Sequence, residues 1–139
     1  MSKGKQNLQL VNLLHHGESY SQNLLRSGLL TETTEWWAAG PKEILPWAGT
    51  VRGREAISKW FQVLNENMEY DQFESFETIS QDDRVVVLYH GSGRAKSTGH
   101  EFKSDICRIY DFEKGKLVKV RNYYDTAAYV AALKGSART

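Results

Sequence analysis

Apolar residues recur every three or four positions through the first half of the chain. Through most of the second half they recur every two. In LQLVNLLHHG, Leu10, Leu13 and Leu14 stand at helical spacing and Gly17 can end the run. ESYSQNLLRSGLL places Tyr20, Leu24 and Leu25 on one helical face and closes at Gly28. TTEWWAAG predicts a short strand stopped by Gly40 and Pro41, and PKEILPWAGTVRG, which holds both prolines, predicts a loop. GREAISKWFQVL predicts a helix whose apolar stripe is Ala56, Ile57, Trp60, Phe61 and Leu64.

Strands then follow. The pattern predicts them over 69–79, 85–95, 100–112 and 117–124, separated by turns at 81–84, 96–99 and 113–116. Three short turns in succession imply an antiparallel meander. TAAYVAALKG reads as a closing helix with Gly135 as its stop. Helices first and a meander afterwards is an α+β pattern. A strongly curved, mostly antiparallel sheet wrapped around the N-terminal helices would leave a pocket between the layers.

Side chains alternate across a strand, and this parity selects candidates. In 117–124 one face carries Val118, Val120, Asn122 and Tyr124, the other Lys119, Arg121 and Tyr123, with Leu117 at the turn. The valine face is the expected interior, so Asn122 and Tyr124 look inward. Asp125 stands directly before a helix, where it can accept from free backbone N–H groups, worth about 1 kcal/mol. The alternative for it is a general acid or base. Arg108 shares a parity with Phe102, Ser104, Ile106 and Tyr110, and inside the sheet it would need a partner or a ligand. A β-bulge near residue 106 would instead send it outward.

Four tryptophans and seven tyrosines are many for 139 residues. Trp36 and Trp37 must point to opposite sides of their strand. Trp60 reads as core, and Trp47, in a Gly/Pro loop, as core or as a lid over a pocket mouth. Tyr89 and His90 also diverge. His15, His16, His90 and His100 have no metal-ligand spacing, and no metal is expected. No glycine-rich phosphate loop precedes a helix.

Composition narrows the class. The size fits one domain spanning 1–139. With 40% hydrophobic and 25% charged residues the chain is typical of soluble globular proteins. A net charge of +1 gives no footprint for nucleic acid. One cysteine, Cys107, excludes an internal disulfide. No apolar run is long enough to span a membrane, and MSKGKQNLQLVNLLHH has no signal-peptide pattern. The expectation is a cytoplasmic protein that needs no cofactor and binds neither membrane nor nucleic acid.

GPKEILPWAGTVRGREAISKWF, STGHEF and YDFEKGKLVKVRNYYDTAAYVAAL together resemble the SnoaL-like branch of the nuclear transport factor 2-like superfamily, whose members are often called ketosteroid isomerase-related. The resemblance runs from about Leu10 to Leu133. It implies an α+β cone: three N-terminal helices on a bent, mostly antiparallel sheet, with an apolar cavity inside. It also implies a homodimer, commonly through the outer face of the sheet.

The resemblance also assigns positions. The aspartate that limonene epoxide hydrolases and SnoaL polyketide cyclases carry on the last long strand falls on Asn122, and the isomerase's oxyanion-donating aspartate falls near it. The cyclases' histidine falls on Arg108. The hydrolases' arginine and aspartate fall near Tyr89 and Gly91, and the isomerase's general base near Trp37. Asn122 donates and accepts hydrogen bonds but cannot shuttle a proton at neutral pH. Arg108 stays charged, yet could stabilise an enolate or hold a carboxylate. Asn122 and Arg108 are therefore the candidate catalytic pair, and Trp37, Trp47, Tyr89, Val120 and Tyr124 the candidate substrate-binding residues. Glu35 or His90 would supply a base if its strand phase turned it inward. Two functions follow as expectations. One is a cofactor-independent isomerase, cyclase or hydratase acting on a small apolar carbonyl compound. The other is a module that binds a hydrophobic ligand without turnover. A third, purely structural role would leave the cone as a dimerisation unit.

Overall fold

A computed structural model describes residues 2–17 and 19–135. The elements run α1 (Lys3–Leu14), α2 (Tyr20–Arg26), β1 (Glu35–Ala38), β2 (Gly49–Arg52), α3 (Arg54–Asn67), β3 (Met68–Gln81), β4 (Arg84–Ala95), β5 (Glu101–Glu113), β6 (Lys116–Tyr124) and α4 (Thr126–Lys134). The expected 41–53 loop holds one short strand, β2, because Gly49–Arg52 pairs antiparallel with β1. Polar side chains start three of the helices. Ser2 accepts from Lys5 N at 3.2 Å, Ser19 from Gln22 N at 3.3 Å, and Asp125 from Ala128 N at 3.2 Å. Asp125 thus makes the capping contact its position predicts. Among the described residues no helix is long and apolar enough to cross a membrane.

The six strands form one sheet in the order β2-β1-β6-β5-β4-β3. β3 to β6 are the antiparallel meander, and β1 joins it parallel to β6, with Ala38 beside Asn122. The concave face packs against the helices through Val11 and Leu14 of α1, Leu24 of α2, Ile57 and Trp60 of α3, and Tyr129 and Ala132 of α4, all buried. A mixed, mostly antiparallel sheet curls around this core.

The curl has identifiable sources. β3 slips register against β4 between Tyr70 and Gln72 and again between Ser75 and Glu77. β6 slips against β5 where Asp111 pairs with Lys119 and Phe112 with Leu117. Val118 is the extra residue there, and bulges of this kind bend and twist a strand. The slip corrects the expected parity of β6. Leu117 and Val120 both turn inward, while Val118 is 42% exposed. The inward phase resumes at Val120 and Asn122, so the two residues that bear on the site keep their predicted side.

β4 tolerates the close crossing of β3 because residue 93 is a glycine. A Cβ on Gly93 would collide with the Glu69 carbonyl oxygen and lie 2.8 Å from Tyr70 Cα. Neither neighbour is a flexible side-chain tip, so the backbone itself would have to move. Gly93→Ala should therefore destabilise the fold by about 2–3 kcal/mol. The check is the midpoint of urea unfolding, and an unchanged midpoint would show that the strands separate freely there.

Candidate functional site

β5 pairs with β4 without interruption from Arg84 opposite Asp111 to Arg94 opposite Glu101. No bulge occurs near residue 106. Phe102, Ser104, Ile106, Arg108 and Tyr110 consequently all point inward and all are buried. Arg108 is 5% exposed, and among the described residues no carboxylate forms an ion pair with it. Its Nε donates to Asn122 Oδ1 at 2.5 Å. Asn122 Nδ2 in turn donates to the Trp37 carbonyl at 2.9 Å. Both ends of the Asn122 amide are thus occupied, and its job is to hold the guanidinium in place.

Aromatic rings surround the charge. The guanidinium carbon lies 4.9 Å from the Tyr20 ring centre, 5.3 Å from those of Trp36 and Tyr89, and 5.8 Å from that of Phe73. Each such contact is worth roughly 0.5–2 kcal/mol. Trp36 Nε1 is buried and has no hydrogen-bond partner among the described residues. Among the described residues the surroundings therefore offer positive charge and an unused donor, and no anion paired with them.

A chain of hydroxyls runs beside Arg108. Tyr20 and Tyr110 share a hydrogen bond of 2.5 Å, and Tyr110 and Tyr89 one of 3.3 Å. Tyr89 and His15 Nε2 are 2.6 Å apart. His15 Nδ1 sits 2.8 Å from the Val11 carbonyl, which can only accept. Nδ1 must therefore carry the proton, and neutral His15 accepts from Tyr89 through Nε2. Burial pushes the His15 pKa below its usual 6.5; the Val11 contact opposes this and Arg108 reinforces it. Burial likewise pushes Tyr20 up to about 12 and raises Tyr89 and Tyr110, against the pull of Arg108. Burial works against the Arg108 charge, but Tyr20, Tyr89 and Tyr110 outweigh it and its pKa rises. At neutral pH the cluster is one guanidinium among protonated phenols.

The expected interior cavity is almost filled. Trp47, Trp60, Tyr70, Phe73, Ile106, Arg108, Asn122, Tyr124 and Tyr129 are among those lining a space of about 30 Å³, room for roughly two water molecules. A larger cleft of about 410 Å³ lies on the other side of Phe73, walled by His15, Tyr20, Glu74, Ser75 and Tyr89.

The candidate residues divide accordingly. Arg108, Asn122, Trp47 and Tyr124 meet at the inner cavity. Trp47 is no mobile lid: it is 3% exposed, its Nε1 donates to Tyr124 Oη at 2.9 Å, and its carbonyl accepts from Trp60 Nε1 at 2.7 Å. Tyr124 Oη also donates to the Ala39 carbonyl. Tyr89 faces the outer cleft and the guanidinium. Val120 is fully buried between Trp36 and Tyr110 in the sheet, a core position. Trp37 is on the wrong side: strand parity turns Trp36 inward, and Trp37 packs on Tyr123 of the outer face with ring centres 4.9 Å apart. Neither proposed base reaches the interior. Glu35 pairs with Arg52 at 2.6 Å, and exposed His90 stacks on Phe76 and meets Asp105 at 2.7 Å. Among the described residues no group of three His, Cys, Asp or Glu could hold a metal.

Sequence reasoning missed His15, Tyr20, Phe73 and Tyr110. Tyr110 was within reach, since it shares the parity of Arg108. His15 carries one local signal, its position four residues after buried Val11 on α1.

The SnoaL-like domain model matches residues 23–120. UPF0523 protein B of Dictyostelium discoideum is 25% identical over 105 residues, 72% of this chain; the match spans 63% of that relative's length. An NTF2-like protein from Burkholderia xenovorans LB400 superposes with a TM-score of 0.81 and 28% identity, covering 96% of this chain and 99% of its own. A candidate SnoaL-like polyketide cyclase from Mesorhizobium loti gives a TM-score of 0.69 at 20% identity, over 89% of this chain and all (100%) of its own.

Asn122→Asp tests the local electrostatics. The new carboxylate would accept from Arg108 Nε, which lowers its pKa, while its second oxygen would face the Trp37 carbonyl. The charge pair should dominate and hold the carboxyl below about 3.9. The depressed value means that the pair stabilises the fold above that pH and that the gain is lost as pH falls through the folded pKa. In an Arg108→Gln background, burial should carry the same carboxyl above about 3.9. NMR titration of both variants decides, and equal values would show that the two side chains are not coupled.

Proposed function

The chain belongs to the SnoaL-like domain family, and on that premise we propose that it holds a small carbonyl compound against Arg108, which stabilises the negative charge of its enolate or carboxylate form. What carries this reading is the buried guanidinium, which has no carboxylate partner among the described residues. Removing a charge from water costs several kcal/mol unless it is well compensated. Asn122 and the phenols offer neutral dipoles only. An anion about 4 Å away would gain about 4 kcal/mol at an effective dielectric of 20. Such a group acts most strongly on charge that develops during reaction. The chemistry that fits is cofactor-independent isomerisation, cyclisation or hydration of a small, largely apolar carbonyl compound.

A second reading, a module that binds without turnover, draws support from Asn122. The acid that the resemblance places there is an amide in this chain, and among the described residues no carboxylate lines the inner cavity.

Arg108→Gln should weaken binding of benzoate by about 100-fold, read from tryptophan fluorescence, because Trp36 lies beside the guanidinium. Arg108→Met should abolish that binding yet leave the fold unchanged or more stable by up to ~2 kcal/mol, since a buried charge is replaced by an apolar chain of similar length. Benzoate affinity indifferent to Arg108 would sink the proposal. A loss of stability in Arg108→Met would instead make the arginine a structural element.

The proposal extends to a homodimer. The outer sheet face carries Phe76, Ile79, Val118 and Tyr123, all between 40% and 51% exposed, around half-buried Val86, Leu88 and Ile109. Single exposed apolar residues are ordinary, but a contiguous set on one sheet face suits a partner. Sedimentation equilibrium at micromolar concentration should return twice the chain mass, and Ile79→Lys should shift it toward the monomer. A monomer across the whole concentration range would remove the dimer.

A further inference from the structure

Phe73 belongs to both spaces. It lines the inner cavity beside Arg108 and the outer cleft beside His15 and Tyr20. Its ring lies 4.8 Å from that of Tyr89. It is 39% exposed on the edge strand β3, between the two register slips at 70–72 and 75–77. Local pairing is weakest at such slips, so this wall can give with little loss of sheet hydrogen bonding. With Phe73 turned outward, the 30 Å³ cavity and the 410 Å³ cleft join, and the sum falls in the usual range for small-molecule sites, about 300–1,000 Å³.

Such a joined space would bring Arg108 together with Tyr89 and His15, a hydrogen-bonded titratable pair that lines the cleft. Tyr89 is buried with its hydroxyl on His15 Nε2. His15 is half-buried, held by Val11 on its other nitrogen. Its ring also packs against those of Tyr20 and Tyr89, with centres 5.1 and 5.6 Å away, which fixes Nε2 on the Tyr89 hydroxyl. We propose that ligands reach Arg108 through this cleft, past Phe73, and that Tyr89, backed by His15, exchanges a proton with them. The proposal rests on the reading of Arg108 given above and adds the missing acid–base group to it.

The step balances without any further reactant. A C–H bond next to the ligand's carbonyl breaks, and its electron pair remains as the enolate, neutralised by Arg108. The proton goes to the Tyr89 oxygen while the Tyr89 hydroxyl proton passes to His15 Nε2. The products are an enolate, a neutral phenol and an imidazolium. Returning the proton from His15 through Tyr89 to a different carbon completes an isomerisation. Tyr110, 3.3 Å from the Tyr89 oxygen, and Tyr20 behind it can donate toward the charge as it develops. Tyr89 is the group that touches the ligand; His15 acts through it.

Acetophenone, an aryl ketone with three exchangeable methyl hydrogens, is the probe. In D₂O the wild-type protein should deuterate that methyl group faster than buffer does, followed by NMR. The rate should rise with pH as His15 loses its proton. The charged or titratable groups around His15 that shape this limb are Arg108, Tyr89, Tyr20, neighbouring His16 and Glu74 across the cleft. His15→Gln should lower the exchange at least about tenfold and flatten the pH limb, with acetophenone affinity within about twofold. Tyr89→Phe should lower it further. Phe73→Ala should speed association. Failure of acetophenone to bind would sink the Arg108 reading and this proposal with it. Binding without exchange, or exchange whose rate and pH profile survive His15→Gln, would sink the proposal alone.

Discussion

The hydrogen bond from Arg108 to Asn122 joins the two strands on which the site is built. It places a full positive charge in the concave face of the sheet, where water would otherwise solvate it, and the rest of the interior answers to that charge. Trp36, Tyr20, Tyr89 and Phe73 present ring faces to it. Asn122 gives up its oxygen to it and spends its amide hydrogen on β1 through Trp37. One side chain, Asn122, therefore fixes the guanidinium and ties β1 to β6 at the position where their parallel pairing ends.

The same charge organises protonation. Burial alone would keep the surrounding tyrosines neutral far beyond physiological pH, and Arg108 partly offsets that. It also works against a proton on His15, which burial already disfavours. A neutral histidine facing a phenol, beside a fixed cation, is an arrangement ready to accept a proton when negative charge arrives at Arg108. An aspartate at position 122 would cancel the cation before any ligand came. The amide leaves the charge available, which suits a site that receives an anion rather than one that supplies it.

Packing sets the limits of access. Aromatic side chains that a larger cavity would leave as lining instead meet one another, with Trp47, Tyr124, Tyr70 and Tyr129 linked by hydrogen bonds or ring contacts. These links close the α4 side of the cone. The β3 side is looser, because an edge strand with two register slips holds its residues by fewer neighbours, and Phe73 stands there.

The sequence by itself determined the backbone plan and much of the site's chemistry. Helical and strand periodicities are local, so they marked all four helices and the meander, and the parity of β5 pointed Arg108 and Tyr110 the same way. The motifs carried the family, and Asp125 read as a cap because the helix start alone explains it. Parity failed where bulges interrupt it: Val118 turned outward because β6 carries one residue more than β5 at that point, a mismatch that belongs to the pair of strands and to neither alone. The phase of β1 was read with Trp37 inward, and the pairing with β6 reverses it, sending Trp36 in and Trp37 out. Only the tertiary structure could bring His15 to Tyr89, 74 positions along the chain, or reduce the cavity to the space of about two waters. Those features depend on how side chains from distant elements fill a common volume, and no local period in the sequence records that.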